Sequence, residues 1–137
     1  MSDVVITLGS HRVTARFETA AAPATCAAFR ARLPFVSQVI HVRWSGEAIW
    51  APLGDLSIGV GAENATTYPH PGEVLWYPGG VSETELLIAY GRTHFASKAG
   101  VLAGNHFLTI SDGLDALPAI GRHVLWHGAQ PLRIELA

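Results

Sequence analysis

Glycine and proline cut this chain into short pieces. Fourteen Gly and eight Pro are spread over 137 residues, so most runs between turn signals have room only for a short strand. The first pieces alternate. Val4, Ile6 and Leu8 share one parity, Gly9-Ser10 is a turn signal, and Val13, Ala15 and Phe17 share parity after it, which predicts a hairpin. The period then changes. Pro23 opens a stretch rich in helix formers and Pro34 closes it; proline suits a first helical turn and cannot continue a helix. Cys26, Phe29 and Leu33 fall at i, i+3 and i+7, giving an apolar stripe on a helix over about 23–33. The remaining candidates are strands: Val39–Ser45, with Ile40, Val42 and Trp44 on one face and His41 and Arg43 on the other; Ala48–Leu53; Val74–Tyr77; Leu86–Tyr90, continuously apolar as in a strand buried on both faces; Phe107–Ile110; Val124–Trp126; and Leu132–Leu136. One short helical turn is expected within Asp112–Ile120. Many short strands with one main helix predict a mostly β protein, a closed or nearly closed barrel.

The length is that of one domain, residues 1–137. Charged residues are only 15% against 49% hydrophobic, well below the usual ~25% charged. Part of the surface is therefore expected to be covered by another copy, making a homo-oligomer. A net charge of −2 gives no basic face for nucleic acid or an anionic membrane. No apolar run approaches the ~20 residues of a membrane span. The first residues lack a basic segment followed by an apolar one, and the single cysteine, Cys26, has no internal partner, so a cytoplasmic address is expected. Cys26 reads as a small core residue rather than a nucleophile.

Charge is unevenly spread. Between Arg43 and Arg92 there is no Lys or Arg, while Glu47, Asp55, Glu63, Glu73, Glu83 and Glu85 all fall there. These are either solvated turn residues or part of a carboxylate-lined pocket. Glu83 and Glu85 share strand parity, so they form the most plausible pair. Lys98 is the only lysine, an ordinary surface ammonium unless burial turns it into a base or an imine-forming amine. Of the seven histidines, His123 and His127 are four apart. No Glu follows the first of them as in the zincin pattern, and no Cys cluster accompanies them, so no metal and no cofactor are expected. Ser45 lacks the first glycine of a nucleophile elbow. Trp44, Trp50, Tyr68, Trp76, Tyr77 and Tyr90 lie within the acidic block, and aromatic walls beside carboxylates would suit an ammonium.

The order hairpin, helix, strands resembles cyclophilin, the barrel-shaped peptidyl-prolyl isomerase. The matching stretches are Pro23-Ala24-Thr25 with Phe29, Pro71-Gly72-Glu73-Val74-Leu75, Gly104-Asn105-His106-Phe107 and Gly121-Arg122-His123-Val124. A bacterial family of cyclophilin-like proteins of unknown function is a closer resemblance over nearly the whole chain. It rests on Arg43-Trp44-Ser45-Gly46-Glu47, Glu63-Asn64, Tyr77-Pro78-Gly79-Gly80, Ser82-Glu83-Thr84-Glu85, Phe95-Ala96-Ser97-Lys98 and Gly104-Asn105-His106-Phe107. The resemblance implies a cyclophilin-like barrel. It places Arg43 on the arginine that bonds a prolyl amide, His106 on the catalytic-site Gln and His123 on a histidine of the proline pocket. Leu108 and Pro118 replace groove aromatics, and Pro78 has no N–H where that groove uses one. Segment 81–104, with Glu83, Glu85 and Lys98, has no cyclophilin counterpart.

Three functions remain open. The first is a protein that binds, or transforms, a small polar metabolite. Its site would comprise Arg43, Lys98 and His106 with Glu47, Trp50, Tyr77, Glu83, Glu85, Asn105 and His123. The second is a prolyl isomerase, and the third an interaction subunit without a ligand.

Overall fold

The computed structural model describes residues 2–137. In chain order the strands and helices are β1 (Val4–Leu8), β2 (His11–Phe17), α1 (Pro23–Arg30), β3 (Phe35–His41), β4 (Gly46–Pro52), β5 (Ala65–Thr66), β6 (Glu73–Tyr77), β7 (Glu85–Thr93), β8 (Ala96–Ser97), β9 (Gly100–Val101), β10 (Gly104–Asp112), α2 (Leu117–His127) and β11 (Gln130–Leu136); one 3₁₀ turn, Leu114–Ala116, leads into α2. Eight strands pair in the order β2-β1-β11-β3-β4-β7-β6-β10, and β10 returns to β2, so the ring closes and leaves no long free edge. Every pairing is antiparallel. Eight strands make an interior narrow enough for side chains to fill. Ile6, Val39, Ile49, Trp76, Ile88 and Phe107 fill that interior.

The two helices plug opposite ends of the barrel. Phe29 of α1 meets Phe35 at the start of β3, with Trp76 and Phe107 beside it (ring centroids 4.9–5.9 Å). At the other end α2 packs on Tyr90, whose hydroxyl is 2.7 Å from Nε2 of His41, the last residue of β3. The early helix stands where its prolines and apolar stripe placed it, but it ends at Arg30. The next turn tightens into i→i+3 bonds from Arg32 and Leu33, because a residue before proline is pushed out of the helical region. Glu63, from a distant loop, caps the start of α1. Its carboxylate accepts from the amides of Ala24 and Thr25 and from the Thr25 hydroxyl at 2.7–3.1 Å.

Two sequence expectations are corrected. Val124–Trp126 is not a strand; it lies in α2, the longest helix, where Leu117, Ile120, Gly121 and Val124 form the buried stripe. The second concerns Val39–Ser45. β3 ends at His41, and its inward side chains include Phe35 and Val39, while Ile40 is 36% exposed. Residues 42–45 form a tight turn closed by bonds from Ser45 and Gly46 to the carbonyls of Val42 and Arg43. That turn removes Arg43 and Trp44 from any strand face.

The continuous apolar run in β7 is explained by a second layer. Leu86, Ile88 and Tyr90 point into the barrel. Leu87 and Ala48 point outward, and with Leu75, Tyr77 and Val42 they are covered by Phe95 and Leu102. Segment 94–103, with the small β8–β9 hairpin, thus forms a strap over the outer face of β4, β7 and β6.

Candidate functional site

The strap is pinned to Thr67, which accepts from the Phe95 amide and donates to the Leu102 carbonyl, and to the 42–45 turn. The Ser45 hydroxyl donates to the Ala96 carbonyl and accepts from the Ala96 amide, both at 3.1 Å, and the Trp44 indole N–H donates to the same carbonyl at 3.0 Å. Gly46, at φ +115°, makes this junction possible, since a Cβ there would sit 2.4 Å from the Arg92 carbonyl oxygen. Where the strap meets the barrel a cleft of about 280 Å³ opens, lined by Val42, Trp44, Trp50, Ser82, Glu83, Glu85, Ala96, Ser97 and Lys98.

Register explains why these side chains converge. Glu85 opens β7 on its outward parity, two residues before Leu87, opposite Tyr77 on β6 and Pro52 on β4. Trp50 shares that outer face through its pairing with Leu87. The loop before β7 is shaped by Tyr77, whose hydroxyl accepts from the amides of Val81 and Ser82 at 3.0 and 3.3 Å. The same loop delivers Glu83, and one of its carboxylate oxygens accepts from the Gly54 amide at 3.0 Å.

The electrostatics of the cleft are unusual in one residue. Glu85 is only 4% exposed, and no hydrogen bond or ion pair reaches its carboxyl among the described residues. Burial, and then the neighbouring Glu83 carboxylate, push its pKa from 4.5 up to about 8. Lys98 is exposed on the strap and makes no ion pair among the described residues. The indole N–H of Trp50 is also buried without a hydrogen-bond partner. A carboxyl left unpaired in a cleft is a group that a ligand can satisfy.

Of the residues singled out in the sequence, the structure brings Trp50, Glu83, Glu85 and Lys98 together in this cleft, and Tyr77 supports it from beneath. The others stand elsewhere. Arg43 is exposed in the 42–45 turn. Glu47 accepts from the Arg92 amide at 3.0 Å and lines a shallow surface groove with Tyr68 and His70. Asn105 is fully buried and structural, donating to the Thr25 hydroxyl and the Gly61 carbonyl and accepting from the Glu63 amide. His106 lies 2.7 Å from the Thr109 hydroxyl and 3.8 Å from Glu73. His123 stacks on His127 on α2, ring centroids 4.4 Å apart. Sequence reasoning missed Trp44, Ser45 and Ala96 as the clasp; Ser45 beside a glycine was the available signal. No group of three or more His, Cys, Asp or Glu able to hold a metal occurs among the described residues. Nor is any described helix long and apolar enough to cross a membrane.

A family model built on proteins of unknown function, DUF3830, matches residues 4–136. The chain belongs to the DUF3830 family. No curated protein matches it. Among solved structures, this DUF3830 chain is similar to McbB, whose structure was determined in complex with tryptophan, with a TM-score of 0.73 and 17% identity. That match covers 96% of the DUF3830 chain and 44% of McbB, so the chain spans less than half of that protein's length. It is also similar to the hypothetical protein AF2241 from Archaeoglobus fulgidus, at a TM-score of 0.63 and 17% identity, covering 99% of this chain and 95% of that one. At such identities the likeness is one of fold.

Proposed function

We propose that this protein binds a small polar metabolite in the cleft between barrel and strap. The observation that carries the reading is Glu85, a residue only 4% exposed that lines the cleft and whose carboxyl has no hydrogen-bond or ion-pair partner among the described residues. An unpaired buried polar group costs free energy in the empty protein, and a ligand that pairs it recovers that cost. The volume is just under the ~300–1,000 Å³ of drug-sized sites, which suits a metabolite. Trp44 and Trp50 offer aromatic walls, Glu83 and Glu85 a place for a donor or cation, and Lys98 an anchor for an acid group. That combination fits an amino-acid-like molecule. The tryptophan found with McbB makes tryptophan the first probe to try here. The barrel, closed and plugged by two helices, is read as cyclophilin-like, with its outer face rebuilt by segment 81–104.

The isomerase reading gains no comparable observation, because neither Arg43 nor His106 lines this cleft.

The test is a thermal-shift and calorimetry screen of amino acids, amines and small organic acids, run on wild type and on Glu85→Gln and Lys98→Ala. A ligand at 100 times its dissociation constant stabilises by about 2.7 kcal/mol, a shift of several degrees for a domain this size. Binding that weakens in either variant supports the site. Binding indifferent to both variants sends the ligand elsewhere on the molecule.

A further inference from the structure

We infer that the cleft selects an organic cation, and that the ligand's ammonium takes the place of a proton on Glu85, so that binding expels that proton to solvent. The inference rests on the binding reading above and deepens it.

The geometry carries it. Glu85 points from the outer face of β7 into the cleft, and almost none of its surface reaches water. Apart from one lysine, the elements packed around it supply nothing to hold a negative charge. On β6, opposite, stands Tyr77, whose hydroxyl already accepts from two amides. On β4 stand Pro52 and Trp50, neither titratable. The preceding loop brings Glu83, a second negative charge. Lys98, from the β8–β9 turn, is the one cation lining the cleft, and it is not paired with either carboxylate among the described residues. A carboxyl in such surroundings stays protonated near neutral pH, in line with its raised pKa.

A bound ammonium reverses this. An opposite charge within about 4–6 Å favours the ionised carboxylate, and Glu83 then adds to the attraction instead of opposing ionisation. The balance is simple: the ligand arrives as R–NH₃⁺, the Glu85 O–H proton leaves to buffer, and an ion pair remains. A divalent metal is a poorer fit, since only two carboxylates converge here and a lysine shares the cleft. A neutral ligand would leave the proton in place.

Calorimetry in two buffers of different ionisation enthalpy, at pH 7, counts the protons released. Three probes separate the contributions: tryptophan, tryptamine, which lacks the carboxylate, and indole-3-propionate, which lacks the amine. The expected result is release of close to one proton with tryptophan and tryptamine and none with indole-3-propionate. Affinity for the amines should rise nearly tenfold per pH unit from pH 6 to 7. Glu85→Gln, which keeps the size of the neutral acid, should abolish the release and weaken the amines at least tenfold, with its fold verified by melting. Amines that bind without releasing a proton overturn the proton exchange and leave the binding reading standing. Failure of all three probes to bind overturns both.

Discussion

Glu85 occupies a strand position where its neighbours on the same face, Leu87 and Ala89, are fully buried and apolar. A carboxyl is tolerated there only because it can remain neutral. Its pKa, raised from 4.5 to about 8, makes stability depend on pH with a definite sign. A group whose folded pKa lies above its unfolded value contributes in full below the unfolded value, near 4.5. That contribution is lost as pH climbs through the folded value near 8. Wild type should therefore lose stability relative to Glu85→Gln between pH 5 and 8, at up to about 1.4 kcal/mol per pH unit. Urea unfolding of both proteins at pH 5, 6, 7 and 8 measures this directly; two parallel curves would remove the buried neutral acid from the account. Some of this residue's role was legible in sequence. Shared parity paired Glu83 with Glu85, and both line the cleft, but β7 begins at Glu85 and it is the preceding loop that brings Glu83 there. Composition also grouped Glu47, Glu63 and Glu73 with them, and the structure scatters those three to an amide, a helix start and two histidines. The amides that Glu47 and Glu63 bind lie 38 to 45 residues away, and of the two histidines on Glu73 only His70 is local while His106 stands on β10; such pairings are not encoded by a run of charge.

α2 shows how an element can be misread by period while its signal is present. Val124-Leu125-Trp126, taken alone, is a short apolar run that fits a strand or a helix. Leu117, Ile120, Gly121 and Val124 follow the i, i+3, i+4, i+7 pattern, and Pro118 suits the first turn. Gly121 obscures the pattern, yet it is the residue that seats the helix. A Cβ there would come within 2.3–2.5 Å of the Tyr90 ring, which is itself only 6% exposed and hydrogen-bonded to His41. A rigid aromatic with that contact cannot step aside without disturbing β7 or β3. Gly121→Ala is expected to destabilise the protein by about 1–3 kcal/mol through overpacking, despite alanine's better helix propensity of up to about 1 kcal/mol. Chemical denaturation decides between the two effects; a stabilised variant would show that α2 does not rest on Tyr90 as closely as described. Helix α1 was easier to read because Pro23 marks its start in the sequence itself, although it stops at Arg30, short of Pro34.

At the scale of the molecule, the barrel and the strap are two cores that share one sheet. The barrel core is legible from alternation alone, because inward side chains recur at period 2 in β1, β2 and β11. The strap core is not, since Phe95 and Leu102 come from irregular chain and meet partners on β4, β6 and β7. The hints were the continuously apolar run Leu86–Tyr90, which asks for cover on both faces, and the absence of segment 81–104 from the cyclophilin pattern. The division has a consequence for stability and for binding. Phe29 and Phe95 are both fully buried, and replacing either by alanine should cost about 3–5 kcal/mol. Phe29 plugs the barrel end among Phe35, Trp76 and Phe107, so its loss weakens the whole fold and leaves the strap clasped by Ser45 and Ala96. Phe95 anchors the strap on Tyr77, ring centroids 5.9 Å apart, so its loss releases the wall that carries Ala96, Ser97 and Lys98. With both variants held well below their melting temperatures, Phe29→Ala should keep wild-type affinity for the cleft's ligand, while Phe95→Ala should lose at least tenfold. Amide exchange should show residues 94–103 opening selectively in the second variant. Equal loss of affinity in the two would mean that barrel and strap form one cooperative unit, and that the cleft depends on global stability and not on the strap.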